Sequence, residues 1–351
     1  MPLITRTLAP SEYAQPRATA EEVWAQIEAD LLAASLDLPN KSQYSEDEVG
    51  RASKGAAVAL LAKAYMYQGK WAECRASCEE ILNGMVPSEY QLAVDYGSIF
   101  TLDGENGSGS IWEIQYANDT GGNWGAQFWS DGTYTNVFTR ARGTFSGYGF
   151  NLPTQSFFDE FEVWEEQQGP NNTVEKVDPR RGYTVYKLGE TASDWGTLDE
   201  ETTGMTHPFY SRKYFNPTSE LAPFGDPNPN GASNDRIIRL ADVYLMHAEA
   251  CNMLGDDSEA ITSLTAVRQR AGVPLTTVSS LTGTDLLEAI WHERRVELGL
   301  EGHRFYDLVR QGRAATVLAD QGFVEGKSEL FPIPTAEITL SNGLLTQNPG
   351  Y

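Results

Sequence analysis

Four histidines and 49 acidic residues are the material from which catalysis or metal binding in this 351-residue chain must be built. His292-Glu293 opens an H-E-x-x-H motif, in which two imidazoles one helical turn apart hold zinc, but position 296 is Val and the second ligand is missing. His207, His247 and His303 have no partner at a ligand spacing, so no metal residues are assigned. Asp226-Pro-Asn-Pro-Asn-Gly231 copies the first six positions of a calcium loop. The bidentate Glu needed at its twelfth position is Ile237, and two prolines stiffen its start; a tight turn is the better account, with a weak calcium site as the alternative. No G-x-S-x-G, P-loop or G-x-G-x-x-G occurs, so no catalytic residue and no cofactor is assigned. A glycoside hydrolase needs only two carboxylates, which 49 acids can hide, and stays as a minor alternative.

Ring chemistry is more informative. Residues 101–235 are 135 of the 351 positions, yet they hold 22 of the 38 aromatic residues and five of the eight Trp. Gly, Asn, Ser, Thr and Pro dominate there, and connecting segments of that composition run over the outside of a fold. Trp124, Phe128, Trp129 and Tyr134, within Gly121-GNWGAQFWSDGTY-Thr135, therefore read as binding surface, with core packing as the alternative. Phe157, Phe158 and Phe161 lie at helical spacing and are read as packing inward.

The charged run His292-ERRVELGLEGHRFYDLVR-Gln311 alternates in sign at helical spacing, the pattern of ion pairs between helices. Glu249, inside the apolar Tyr244-LMHAEA-Cys251 face, is assigned to the same web with Arg294 or Arg295 as its partner. The web is read as Glu249, Glu293, Arg294, Arg295, Glu301 and Arg304, and as structural.

Helices must position these groups. Thr19 and Glu22 form a capping box before Val23, Ile27, Leu31, Ala34 and Leu38, an amphipathic stripe. Lys54-GAAVALLAKAYMYQGKWAECRASCEEILNG-Met85 reads as a helical hairpin turning at Gly69. Arg236-IIRLADVYLMHAEACNMLGDDSEAITSLTAVRQRAG-Val273 repeats that pattern, with Gly255 at the turn, Asp256 and Glu259 capping the second helix, and Ile237, Ala241, Tyr244, Ala248 and Cys251 on one face. A third pair covers Asp285–Leu298 and Glu301–Arg313. The units suggest tetratricopeptide-like packing or ordinary helical hairpins, and both predict one helical platform. Between them, Pro153–Trp164 reads as a short helix, and Ile111–Tyr116 and Tyr183–Lys187 alternate like strands. The fold class is mainly α, a helical-hairpin scaffold with a loop-rich, aromatic-rich insert containing short strands. The segments are 1–100 (helical), 101–235 (insert) and 236–351 (helical).

Charge and cysteine content narrow the partners. With 26 Lys+Arg against 49 Asp+Glu, the net charge is −23, which excludes a phosphate-backbone partner: no nucleic acid is expected. Cys74, Cys78 and Cys251 are an odd set read as buried thiols in helical stripes. No run of about 18 apolar residues occurs to span a membrane, and Met1-Pro-Leu-Ile-Thr-Arg6 has no apolar signal core.

Together these motifs resemble the SusD/RagB family of outer-membrane nutrient-binding lipoproteins. The resemblance rests on Pro2-Leu-Ile-Thr5, Gly50-Arg-Ala-Ser-Lys-Gly-Ala-Ala57 with Tyr65 and Gly69, Ile111-Trp-Glu-Ile114, Asp178-Pro-Arg-Arg181, Arg236 to Ala250, and Glu293-Arg-Arg-Val-Glu297 through Glu301-Gly-His-Arg304 and Asp307-Leu-Val-Arg310. It continues through Ile333-Pro-Thr-Ala-Glu337 and Asn342 to Tyr351. Each motif alone is weak; their order along nearly the whole chain is specific. The resemblance implies a tetratricopeptide-like scaffold that presents a shallow, loop-built carbohydrate site. It also implies a place as lid on a SusC-like TonB-dependent transporter of the outer membrane, and no enzymatic chemistry. The ligand implied is an oligo- or polysaccharide, whose apolar C–H faces would lie on Trp124, Phe128, Trp129 and Tyr134 while Asn123, Gln127 and Asp131 bond its hydroxyls. Family members begin with a signal peptide, a lipid-modified Cys and a further helical section. This chain lacks all three and is read as an N-terminally truncated form, whose membrane contact would come only through a lipid anchor missing from these residues. The alternative function is a protein-interaction scaffold or transporter lid that binds peptide or no glycan.

Overall fold

The structure is a computed structural model that describes residues 1–84, 89–117, 132–169, 172–221 and 230–351. The chain forms two compact units, one of residues 35–301 and one of residues 1–34 with 302–351.

The larger unit is built on the repeated hairpin. In the first copy, Ser53 caps Lys54–Gln68 by accepting from the Ala56 amide, and Gly69 ends the helix in the left-handed conformation at φ 69°. Trp71–Glu79 returns, continued by a π-helical turn, Glu80–Gly84. Ala59 and Ala62 are fully buried in this hairpin, so the small side chains let its helices approach closely. In the second copy, Leu240–Met253 turns at Gly255 (φ 80°) into Asp257–Ala271, whose first turn is capped by Asp256 accepting from the Glu259 amide at 3.3 Å. Gly283–Glu297 follows. Trp71–Glu79 packs on Leu240–Met253, which packs in turn on Asp257–Ala271 and Gly283–Glu297. Their shared core holds Ala241, Leu245, Ala248, Cys251, Leu264, Val267, Leu286 and Ile290. Burying each Leu or Ile there stabilises by about 1.5–3 kcal/mol.

Several sequence expectations shift. The second hairpin does not begin at Arg236: Asp235–Arg239 is a strand, antiparallel to Ser110–Ile114, so Ile237 belongs to a sheet and the helix starts at Leu240. Burial on both faces gives Arg236-Ile-Ile-Arg239 an apolar spacing that periodicity alone does not separate from a helix. Pro153–Trp164 contains only the short helix Gln155–Phe158, and Val163 already lies in a strand. Phe157 and Phe161 do pack inward, against Val185, Phe209 and Val296, with Phe158 alongside. Tyr183–Lys187 is a helical turn, Arg181–Thr184, followed by the strand Val185–Lys187, which pairs with Phe209–Ser211. A hairpin of Val163–Gly169 and Asn172–Val177 had no sequence signal strong enough to read, being largely exposed and polar. Among the described residues, no helix is long and apolar enough to cross a membrane.

In the smaller unit, Thr19 and Glu22 close the capping box at 2.9 and 3.2 Å in front of Ala20–Asp37. The stripe Val23, Ile27, Leu31 is half-buried. Arg17 ties this segment to the chain end through the Thr346 carbonyl at 3.2 Å and Asn348 Oδ1 at 2.9 Å. There the Gln347 side chain clasps the Ile333 backbone in both directions.

Candidate ligand-contacting face

Two kinds of site stand out, a saturated charge centre and a set of exposed rings. The charge centre is where the Asp178-Pro-Arg-Arg181 turn meets the Glu293–Glu297 helix face. Arg180 is 1% exposed; its Nε and Nη2 donate to Asp178, and its Nη1 donates to Glu293 at 2.5 Å and Glu297 at 3.0 Å. Glu297 also accepts from Arg239 at 2.9 Å and Arg270 at 2.5 Å. Glu293 accepts from Arg268 at 2.9 Å, and Glu301 from Lys213 and Arg239, each at 2.7 Å. Arg294 donates to Asp242 at 2.8 Å, Arg295 to Glu160 and to Ser156, and Glu249 accepts from Trp291 Nε1 at 2.9 Å. Arg304 opens the helix Arg304–Arg310 of the smaller unit. The partners Arg180, Arg239, Arg268, Asp178 and Asp242 were not assigned to the web from sequence, because nothing in their local pattern links them to the charged run.

Burial alone would raise the Glu297 carboxyl, but Arg270, Arg239 and Arg180 hold it well below the usual carboxylate range. A carboxylate enclosed by three guanidiniums does not exchange protons near neutral pH, so this centre is suited to clamping rather than acid–base work. Glu162, His292 and Glu293 also converge, with ligand atoms within 4.8 Å of one another. Arg268 bonds both Glu162 (2.7 Å) and Glu293 (2.9 Å), so a cation already neutralises these carboxylates.

The exposed rings lie in the insert. Asn123, Trp124, Gln127, Phe128, Trp129 and Asp131 are outside the described residues, as is most of the Asp226–Gly231 turn; Gly231 pairs with Thr133. Tyr134 is described. It stacks on Phe138, with centroids 5.9 Å apart and planes 22° from parallel. Phe138 continues onto Tyr148 at 5.8 Å and Phe150 at 6.1 Å, and Tyr148 meets Phe150 at 5.7 Å. Phe138, Tyr148 and Phe150 are 39%, 42% and 53% exposed, an apolar surface of three rings that the chain leaves facing solvent.

The backbone fixes this surface. Thr135–Thr139 places Tyr134 and Phe138 one helical turn apart, and a turn through Gly149, whose φ is 63°, brings the rings of Tyr148 and Phe150 to 5.7 Å. Phe150 N donates to the Phe138 carbonyl and Gly149 N to the Arg140 carbonyl, both at 2.8 Å. Beneath the rings, Arg140 Nε holds the Phe145 carbonyl at 2.6 Å, and its guanidinium covers the Trp195 ring at 4.6 Å. Burial brings the Arg140 guanidinium down to about 10. Phe145 is fully buried among Tyr186, Leu198, Tyr210 and Phe215, which anchors the turn to the core. Phe138, Tyr148 and Phe150 escaped the sequence reading, although the i, i+4 spacing of Tyr134 and Phe138 in a polar segment was a usable signal.

A sequence profile described as "SusD family" matches residues 108–351, and one described as "Starch-binding associating with outer membrane" matches residues 1–66. SusD-like protein P25 of Formosa agariphila is 27% identical, covering 95% of this chain and 66% of its own length. SusD-like protein P2 of the same organism is 24% identical, covering 94% and 65%. The chain thus spans about two thirds of the length of these relatives. Among solved structures, a laminarin-binding SusD-like protein superposes with a TM-score of 0.82 at 35% identity, over 100% of this chain and 74% of that one. Surface glycan-binding protein A of Bacteroides thetaiotaomicron, in complex with laminarihexaose, gives 0.76 at 25% identity, over 95% and 72%. The helix-rich architecture is that of these proteins, and with the first profile matching more than half of its length, the chain belongs to the SusD family.

Proposed function

We propose that this chain is a non-catalytic glycan-binding protein that captures an oligo- or polysaccharide at the outer membrane and hands it to a TonB-dependent transporter. The observation that carries this reading is the exposed surface of Phe138, Tyr148 and Phe150, continued by Tyr134, in a chain of the SusD family. Sugar rings offer apolar C–H faces that lie against such side chains, and Trp124, Phe128 and Trp129, a few positions before Tyr134 in the sequence, are proposed to extend the same surface. The 35% identical neighbour described as laminarin-binding supports the ligand class, and the profile over residues 1–66 supports the membrane location. The relation to a transporter rests on the family alone. Two or three ring contacts, less the cost of ordering the ligand, correspond to dissociation constants of about millimolar to tens of micromolar. Binding that weak suits transfer.

The test is native gel electrophoresis of the chain through laminarin, starch, xylan, mannan and alginate. Retardation by at least one, abolished in Phe138→Ala/Tyr148→Ala/Phe150→Ala and without release of reducing ends, supports the proposal. Retardation by none overturns it, and release of reducing ends replaces it with a hydrolase.

A further inference from the structure

A second concave surface, a groove of about 640 Å³, opens in the larger unit between Tyr183 and Asn216. Tyr183 projects from the helical turn Arg181–Thr184 and is 40% exposed. Its ring is held in place from two directions. It lies directly on the backbone of Gly97, where an added Cβ would come within 2.4 Å of the ring. The Arg212 guanidinium lies over it at 5.4 Å and over Tyr186 at 4.7 Å. Arg212 is itself fixed, with its backbone amide on the Thr184 carbonyl at 2.9 Å and its side chain on the Gly182 carbonyl. An exposed ring braced this way loses little freedom when a ligand stacks on it.

The groove also carries an unused hydrogen-bonding group. Asn216 lines it and is 4% exposed; its Nδ2 donates to Glu220 at 2.7 Å and Ser233 at 2.6 Å, while among the described residues its Oδ1 has no partner. Buried amides ordinarily find an acceptor for the nitrogen and a donor for the oxygen, so Asn216 Oδ1 is left one donor short in the groove wall. The remaining polar lining includes Asp95, Asp103 and Glu220, carboxylates that accept from hydroxyls, against one cation among the described residues, Arg212. That balance, in a chain of net charge −23, repels uronates and sulfated sugars. The floor is formed by Tyr186 and Phe215, members of the same buried cluster that anchors Phe145 beneath the exposed rings.

We propose that this groove is a second glycan subsite, specific for neutral oligosaccharide, with Tyr183 as its stacking platform and the exposed carboxylates of Asp95 and Asp103 as hydroxyl acceptors. The proposal rests on the glycan-binding reading above and adds to it a second contact and a charge class. Two contacts on one rigid core raise retention of a long polysaccharide by making the second engagement intramolecular.

The test compares wild type, Tyr183→Ala, Tyr183→Phe, and Phe138→Ala/Tyr148→Ala/Phe150→Ala in native gels carrying laminarin, starch, xylan, mannan or alginate. The expected result is retardation of wild type by a neutral polysaccharide and not by alginate, with binding about tenfold weaker in Tyr183→Ala and retained in Tyr183→Phe. Unaltered circular dichroism and thermal midpoint in Tyr183→Ala accompany that result, and loss in a misfolded variant is replaced as the readout by Gly97→Ala, which displaces the ring from the other side. Wild-type binding by Tyr183→Ala, with loss only in the triple variant, overturns the groove and leaves the glycan-binding reading standing. Retardation by alginate in preference to the neutral polymers overturns the charge class. Retardation of wild type by no polysaccharide overturns both.

Discussion

Arg180 Nη1 donates to Glu297 Oε2 at 3.0 Å across 117 positions of sequence. The contact joins the Asp178-Pro-Arg-Arg181 turn of the insert to the Gly283–Glu297 helix, and so fastens the loop-rich region to the helical scaffold. Arg239, at the end of the strand that pairs with Ser110–Ile114, reaches the same carboxylate at 2.9 Å. One buried side chain thus fixes the relative positions of three chain segments, and with them the core on which the exposed rings rest.

Glu297→Gln tests how much that clamp contributes. The substitution keeps the shape but leaves Arg180, Arg239 and Arg270 short of one negative charge in a place that water does not reach. Removing one member of a buried ionic group destabilises by about 3–5 kcal/mol. The expected result is a large fall in the denaturant midpoint, whereas the exposed Glu325→Gln changes stability by less than about 0.5 kcal/mol. A Glu297→Gln midpoint equal to wild type would show that the web is dispensable.

Stability falls in two stages as pH drops. His247 is 1% exposed, bonded to Ser263 Oγ at 2.7 Å, with Glu79 at 3.6 Å and Cys251 at 3.6 Å. Burial lowers its pKa below the ordinary 6.5; Glu79 and Glu259 pull the other way and Arg75 adds to the lowering. The unfolded chain therefore takes up this proton first, so the stability contributed by neutral His247 is complete above about pH 6.5 and is lost as pH falls toward its folded value. Glu297, also depressed in the fold, keeps its contribution above about pH 4.5 and loses it below. Thermal midpoints measured from pH 8 to pH 3 should show a shallow decline beginning near 6.5 and a steeper one below 4.5. His247→Asn should flatten the first; a midpoint independent of pH between 7 and 5 in wild type would remove His247 from this account.

The thiols should be silent in the fold. Cys74, Cys78 and Cys251 are free and fully buried. Burial pushes Cys78 well above its ordinary value and brings Cys251 up to about 12, so neither supplies thiolate near neutral pH. A thiol-specific chromogenic reagent should report no fast-reacting thiol in buffer and three after denaturation; one fast thiol in the native chain would place a cysteine at the surface.

The scaffold was readable from sequence wherever one local rule decided the outcome. Gly69 and Gly255 sit at left-handed turns, Thr19 and Asp256 cap helices, and the Ala-rich face is buried as its composition demands. The reading broke where distant segments decide. Asp235–Arg239 is a strand because Ser110–Ile114 lies beside it, a partner more than 100 residues away that no window contains. Arg180 and Arg239 bond the charged helix from remote positions for the same reason. Composition pointed to the region, and of the rings it named the half-buried Tyr134 stacks on the exposed Phe138. Phe138, Tyr148 and Phe150 become one surface only because the Ser146–Asn151 turn folds back along Thr135–Arg140.

That turn gives a test of the ring surface that deletes no ring. Gly147 N donates to the Ala141 carbonyl at 2.8 Å, and an added Cβ at Gly147 would lie 2.1 Å from the Arg140 carbonyl oxygen, a backbone atom that cannot swing aside. Gly147→Ala therefore pushes the Tyr148–Phe150 segment away from Phe138. Ser146, next to it, already holds a left-handed φ of 55°, so Ser146→Gly relieves strain and leaves the surface in place. Each ring pair is worth about 0.5–1.5 kcal/mol, and separating two of them from Phe138 should weaken polysaccharide retention by about tenfold. Ser146→Gly should bind as wild type with an equal or higher thermal midpoint. Full retention in Gly147→Ala, together with a wild-type midpoint, would mean that the rings need not act together, and the surface formed by Phe138, Tyr148 and Phe150 would lose its role in capture.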